Sequence, residues 1–290
     1  MSDKNKKLVE PNTKKGTVKW GAKPAIWLTF LAYIVSQLAV LLPYGFVYLV
    51  NGKEEASVFF EDSVWASFFL IAFSAVTMVS VIVLYLKKKK LKLASLGFRA
   101  LKPTDFGWLI IFGLGYLIIS ATVLSLASLV PGFDLNQEQE LGFGVVAGWQ
   151  LVAVFISLVL IPPLAEEIVF RGFFYRGLKN QFITKQVILA GVVMAGLTAL
   201  LTTNPATGLV IISMSLLAVF VAKKNIKLGS ALFVSSVFGL VHGQWNVALD
   251  TFVLSMVMIA LYEKTNNLWA SVLLHGIKNF IAFMALFVIK

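Results

Sequence analysis

The sequence predicts an all-α fold, a polytopic transmembrane helix bundle of eight or nine spans. Three observations carry that reading. The chain of 290 residues is 59% hydrophobic and only 13% charged, which is too apolar for a soluble domain of this length. Uncharged runs of about the 20 residues that a helix needs to cross a bilayer recur along it. Basic residues collect beside those runs instead of spreading over the whole chain.

Residues 1–24 read as a basic cytoplasmic tail holding seven of the 25 Lys and Arg residues. The apolar run that follows is too long for the core of a cleavable signal. Residues 25–144 read as N-terminal transmembrane helices, with spans near 25–50, 64–86 and 106–130. Residues 145–290 read as a second helical unit, with spans near 145–165, 187–203, 208–222, 229–243, 247–263 and 268–289. The fifth to eighth of these nine runs are short. The segment LGFRALKPTDFGW, 96–108, is expected to lie along the membrane interface before the third span. Gly144 and Gly148 form a GxxxG spacing, a weak signal for a packing face.

Loop charge orients the bundle. The 51–63 loop sets Lys53 against Glu54, Glu55, Glu61 and Asp62, and the 131–144 loop carries Asp134, Glu138 and Glu140. Between them, the stretch from Lys87 to Lys102 carries seven basic residues. This alternation puts the N-terminus in the cytoplasm. Placed beside spans, the net charge of +11 implies contact with anionic lipid and argues against nucleic acid as a partner. The absence of cysteine excludes disulfides, thiolate nucleophiles and Cys-ligated metals.

The spans hold few ionisable groups, so the candidates for chemistry are few. The run from Val145 to Ala165 is uncharged, and then LAEEIVFRGFFYR places Glu166, Glu167 and Arg171 together. A charge at such depth is costly, and function is its default explanation. Glu167 and Arg171, four apart, share a helix face and read as a structural pair. Glu166 is turned about 100° away and stays free for other work. The chain's two histidines, His242 and His275, both fall in or beside apolar helices. Phe238 precedes His242 by one turn, and Asn279 follows His275 by one turn. Either histidine alone also fits a ring bonded to a backbone carbonyl. Lys278 reads as a snorkelling side chain or one bound to a carbonyl, and Asp250 as a loop or helix-start residue. Pro162 and Pro163 are expected to bend the fourth span and free carbonyls there. There is no HExxH, no aspartyl GxGD and no GxSG-like nucleophile turn.

Three motifs in order, EEIVFR (166–171), FGLVH (238–242) and HGIKN (275–279), resemble the EExxxR, FxxxH and HxxxN motifs of the CPBP family. These are the CAAX-processing and bacteriocin-processing intramembrane proteases, of the abortive-infection type. The resemblance covers about residues 160–285, with LGFRALKP as a weaker upstream match. It implies an intramembrane endopeptidase acting on a membrane-proximal peptide or protein: a CAAX prenyl endopeptidase-like activity, or processing of a bacteriocin or signalling peptide, or self-immunity. By that resemblance Glu166 is the base that activates water and His242 helps to position it. His275 and Asn279 hold the oxyanion, while Glu167, Arg171 and Phe238 support them. The family is often classed as metalloprotease. Glu166, His242 and His275 are also a donor set for one divalent metal such as zinc; the metal-free version is preferred. The gap between Arg171 and Phe238 is longer than usual in the family, and residues 187–222 read as an extra hairpin. Counting along the spans sets Glu166 near the cytoplasmic side and His242 toward the far end of its helix. The two meet only if that helix is shifted or the site lies deep in the bundle. The absence of a signal peptide and the Lys-rich tail suit a bacterial plasma membrane. A catalytically silent immunity or regulatory scaffold is the alternative, and a transporter a more distant one.

Overall fold

A computed structural model describes residues 18–135, 143, 146–202 and 205–289. Most of the basic tail, the acidic Glu138 and Glu140, and Gly144 of the GxxxG spacing lie outside the described residues. Among the described residues the chain is helical, with no strand. The helices are α1 (Ala22–Asn51), α2 (Lys53–Asp62), α3 (Val64–Lys88) and α4 (Pro103–Ala127). There follow α5 (Gln150–Asn180), α6 (Thr184–Thr202), α7 (Pro205–Ala222), α8 (Ile226–Leu240), α9 (Trp245–Thr265) and α10 (Leu268–Val288).

Six of these, α1, α3, α4, α5, α9 and α10, are long and apolar enough to cross a membrane. The protein is an integral membrane protein. The remaining apolar runs of the nine expected are the shorter stretches Thr184–Thr198, Thr207–Ala222 and Ile226–Leu240. At 1.5 Å per residue, a 15-residue helix such as α8 extends only about 22 Å, less than the hydrocarbon thickness.

The most consequential departure from the expected spans is α5. Its sequence runs uncharged to Ala165, which suggests an end there, but the helix continues through both glutamates to Asn180. The reason is that the charges it meets are neutralised inside the bundle, and VFRGFFYRGL beyond them is almost wholly buried. Two stretches of α5, Ile156–Leu160 and Ile168–Tyr175, are wound as π-helix. The first lies just before Pro162 and Pro163, whose missing N–H groups leave the carbonyls of Leu158 and Val159 without helical donors. Helix α10 bonds the first and packs closely on the second. Asn279 donates its amide to the Leu158 carbonyl at 2.8 Å. A Cβ on Gly276 would stand 3.3 Å from the Val159 carbonyl, so glycine allows the close seat.

One end of the bundle gathers the basic segments. Trp20 stacks on Phe173 and donates to its carbonyl at 3.0 Å, and Asn180 ties back to the carbonyls of Val18 and Trp20. The segment expected to lie along the interface is largely exposed and is anchored to the bundle at a few points. Leu96 is fully buried against Gly172, and the Gly97 carbonyl accepts from the Leu268 amide at 3.0 Å. Gly97 turns with φ +104, a region open mainly to glycine. Asp105 caps α4 through the Lys102 amide and also accepts from Asn267.

A second buried tie joins α4, α9 and α10. Asp250, on α9 rather than in a loop, accepts from Tyr116 at 2.7 Å and from Ser120. Lys278 on α10 reaches the same carboxylate at 3.6 Å. Lys278 is therefore an ion-pair partner, not a snorkelling side chain, because the low-dielectric bundle offers a carboxylate nearer than water. Asp250→Ala should lower unfolding stability in detergent by about 2–3 kcal/mol, since it strands a largely buried ammonium and two hydroxyls. The Asp250→Ala/Lys278→Met double variant should lose less than the two single losses added together. Strictly additive losses in the same unfolding assay would mean that the two side chains do not interact.

Candidate active site

The buried charges of α5 meet α8 and α10 about halfway down the bundle. Glu167 and Arg171 are both fully buried and pair one turn apart at 2.8 Å. The same Glu167 oxygen, Oε1, accepts from Nδ1 of His275 on α10 at 3.0 Å. Arg171 places its guanidinium carbon 4.2 Å from the centre of the Phe238 ring on α8. Two of its nitrogens, Nε and Nη2, have no hydrogen-bond acceptor. The π-face of Phe238 takes the place of that acceptor, which suits a planar, weakly hydrated cation.

Phe238 is the hub of the three helices. Its ring stands edge-to-face with His242 at 5.1 Å and with His275 at 5.9 Å, and packs on Phe170 at 4.9 Å. His242 lies in the turn after α8 and donates its Nδ1–H to the Phe238 carbonyl at 2.8 Å. That bond fixes the ring and leaves Nε2 open. From α1, Tyr33 donates to the carbonyl of Val241, beside His242, at 3.3 Å.

Glu166 lies on a different face from Glu167. One of its oxygens, Oε2, is buried without a hydrogen bond and stands 3.9 Å from Nε2 of His275. The side chain also lines a cavity of about 250 Å³ with Ser74, Met78, Pro162 and Ala165, between α5 and the pair α1 and α3. It is close enough to His242 and Tyr33 to interact electrostatically with both. The separation expected from span counting thus disappears for two reasons. Glu166 sits mid-helix, because α5 runs on to Asn180, and α8 is short, so its far end stops at that depth.

The structure therefore gathers Glu166, Glu167, Arg171, Phe238, His242 and His275 in one cluster. Asn279 is placed one turn beyond His275, with one amide N–H committed to Leu158 and the other left over. The prolines signalled freed carbonyls in the sequence, but not that Asn279 would take that of Leu158. Tyr33 carried no such signal, being one tyrosine in an apolar span.

The donor set was tested as a metal centre. Among the described residues, no three His, Asp or Glu side chains come together as a group that could hold a metal ion. Oε1 of Glu167 is taken by Arg171 and His275, and Glu166 with the two histidines forms no such group among the described residues. The arrangement does not fit a bound divalent ion. What it offers is a carboxylate with a free oxygen, an imidazole held by a second carboxylate, and an unspent amide.

Removing Glu167 should be more damaging than removing any other charge in the cluster. Glu167→Ala leaves Arg171 buried and His275 unheld, a loss of about 3–5 kcal/mol in unfolding free energy. The Glu167→Leu/Arg171→Leu double variant should recover much of it. A double variant as unstable as the sum of both singles would disprove the coupling.

Sequence comparison gives the same region a family. Residues 148–231 and 220–281 match a family described as type II CAAX prenyl endopeptidase Rce1-like. All three motifs fall inside the matched stretches, and the match bears out the resemblance drawn from them. No curated protein and no solved structure matches the chain.

Proposed function

We propose that this membrane protein, whose residues 148–281 match the Rce1-like type II CAAX prenyl endopeptidases, is an endopeptidase in which Glu166 activates water. One observation carries the reading. Of the two adjacent carboxylates, Glu167 is sealed in the bundle with Oε1 held by Arg171 and His275, whereas Glu166 is 24% exposed, accepts from neither and borders a cavity. A carboxylate at such depth is held against a penalty of a few kcal/mol, and a general base needs an oxygen that water can reach.

The steps follow from the cluster. Water in the cavity gives a proton to Glu166 and attacks the carbonyl carbon of a peptide bond. The carbonyl oxygen becomes an oxyanion. His275, with Nδ1–H fixed on Glu167, turns Nε2 toward that space, and in its cationic form it donates there. The remaining N–H of Asn279 is the second donor. Donors of this kind are worth a few kcal/mol each in the transition state. Glu166 then returns its proton to the leaving amine, closing the cycle. His242 and Phe238 hold the far wall, and Glu167 with Arg171 keeps His275 in place.

The substrate is a peptide or protein segment that enters beside the bilayer, prenylated or a bacteriocin or signalling peptide. The alternating loop charges support a cytoplasmic N-terminus, and the Lys-rich tail supports a bacterial plasma membrane.

Glu166→Gln should lower cleavage of a membrane-anchored peptide in proteoliposomes by about 10²–10⁴-fold with little change in thermal midpoint. Wild-type turnover in a folded Glu166→Gln protein would end the proposal. Chelation of the active wild type should leave turnover intact. Stoichiometric zinc that departs in step with activity would instead assign Glu166, His242 and His275 to a metal.

A further inference from the structure

The last residue of the LAEEIVFRGFFYR stretch is Arg176, and the chemistry above leaves it unused. Its side chain is 7% exposed, and among the described residues it makes no ion pair or hydrogen bond. The nearest carboxylate, Glu263, is already bound by Lys179 and by Lys227 at 2.9 Å. None of its nitrogens is sealed from solvent without a partner, as two of those of Arg171 are, so this largely buried cation stays open to an anion from outside.

The surroundings define that partner. Arg176 lies over Gly97: a Cβ there would stand 2.9 Å from its Nη1 and 2.8 Å from the Tyr262 hydroxyl. Arg176 also feels a second cation, Arg99. Arg99 is exposed but held, because both its terminal nitrogens reach the side-chain oxygen of Asn266, at 3.0 and 3.1 Å, in the amide orientation that satisfies both groups. Two guanidinium groups and a phenol thus share one small region with no free carboxylate. Aromatic side chains flank it: Phe98 packs on Trp269 at 5.0 Å, and Lys264 sits 4.1 Å from the centre of the Trp108 ring. Aromatic rings and basic side chains together mark the headgroup level of a membrane.

We infer that Arg176, Arg99 and Tyr262 form a binding site for the phosphate of an anionic phospholipid at the basic end of the bundle. A phosphate oxygen accepts from several guanidinium N–H groups at once, which a lysine patch does not reproduce. The inference rests on the fold and is independent of the proposed chemistry. Its consequence for that chemistry is a depth gauge. Arg176 follows Glu167 by nine residues of one continuous helix, eight of them in the π-wound stretch, which puts the site roughly two turns from the carboxylates. A lipid headgroup seated on Arg176 would set how far below the phosphate plane Glu166 lies.

The test uses the full chain in detergent, titrated with dioleoylphosphatidylglycerol and followed by its thermal midpoint. The expected result is a saturable rise, with affinity weakened about tenfold or more in Arg99→Gln and in Arg176→Gln. Arg99 is exposed, so its variant keeps the test open if Arg176→Gln does not fold. Lys87→Gln/Lys88→Gln, in the same basic region, should stay near wild type. Dioleoylglycerol, which has the chains without the phosphate, should give no saturable rise. Undiminished affinity in Arg99→Gln, or equal loss in the lysine variant, would overturn the site in favour of diffuse charge. Protection by inorganic phosphate equal to that by the lipid would overturn the lipid assignment.

Discussion

One oxygen atom holds the centre of this protein together. Oε1 of Glu167 accepts from Arg171 on its own helix and from His275 on α10. Because Arg171 lies across the ring of Phe238, the same atom indirectly fixes α8. Three helices are thereby set in register around a charge that none of them could carry alone in hydrocarbon. An ion pair of this kind adds little net stability, since desolvation opposes the attraction. What it contributes is position: it fixes the imidazole and the phenyl ring around the second carboxylate.

The backbone supplies the complementary constraint. Two consecutive prolines deprive the Leu158 and Val159 carbonyls of their helical donors, in a setting where water is scarce. Helix α10 answers the first with the amide of Asn279 and packs Gly276 closely against the second. His275, Gly276 and Asn279 therefore face α5 together, one bonding a side chain and two meeting the backbone. The π-wound stretches on either side of the prolines widen α5 locally and give these contacts room. Irregular backbone at membrane depth is tolerated only where protein satisfies it, and here the satisfying groups are those of the third motif.

The two ends of α5 differ for the same electrostatic reason. Its middle buries the Glu167–Arg171 pair, while Glu166 opens to a cavity. Its basic end carries Arg176 and Lys179 into a region where Glu263 is the only carboxylate partner on the facing helix α9. One helix thus runs from the cavity beside Glu166 to the basic end of the bundle.

The sequence by itself determined the membrane class, the helical fold and the short list of reactive groups. Charge is so rare in these spans that Glu166, Glu167, Arg171, His242 and His275 stand out without any alignment, and i to i+4 spacing pairs Glu167 with Arg171. The prolines likewise announced freed carbonyls. Only the tertiary structure decided where α5 ends, because burial of Arg171 and the residues after it overrides the local signal of a span boundary. It also decided that Asp250 and Lys278 are partners, that Asn279 bonds Leu158, and that Tyr33 stands beside the His242 turn. These are contacts between helices far apart in the chain. Periodicity states which face of a helix is polar, but not which other helix will cover it, and that choice belongs to packing.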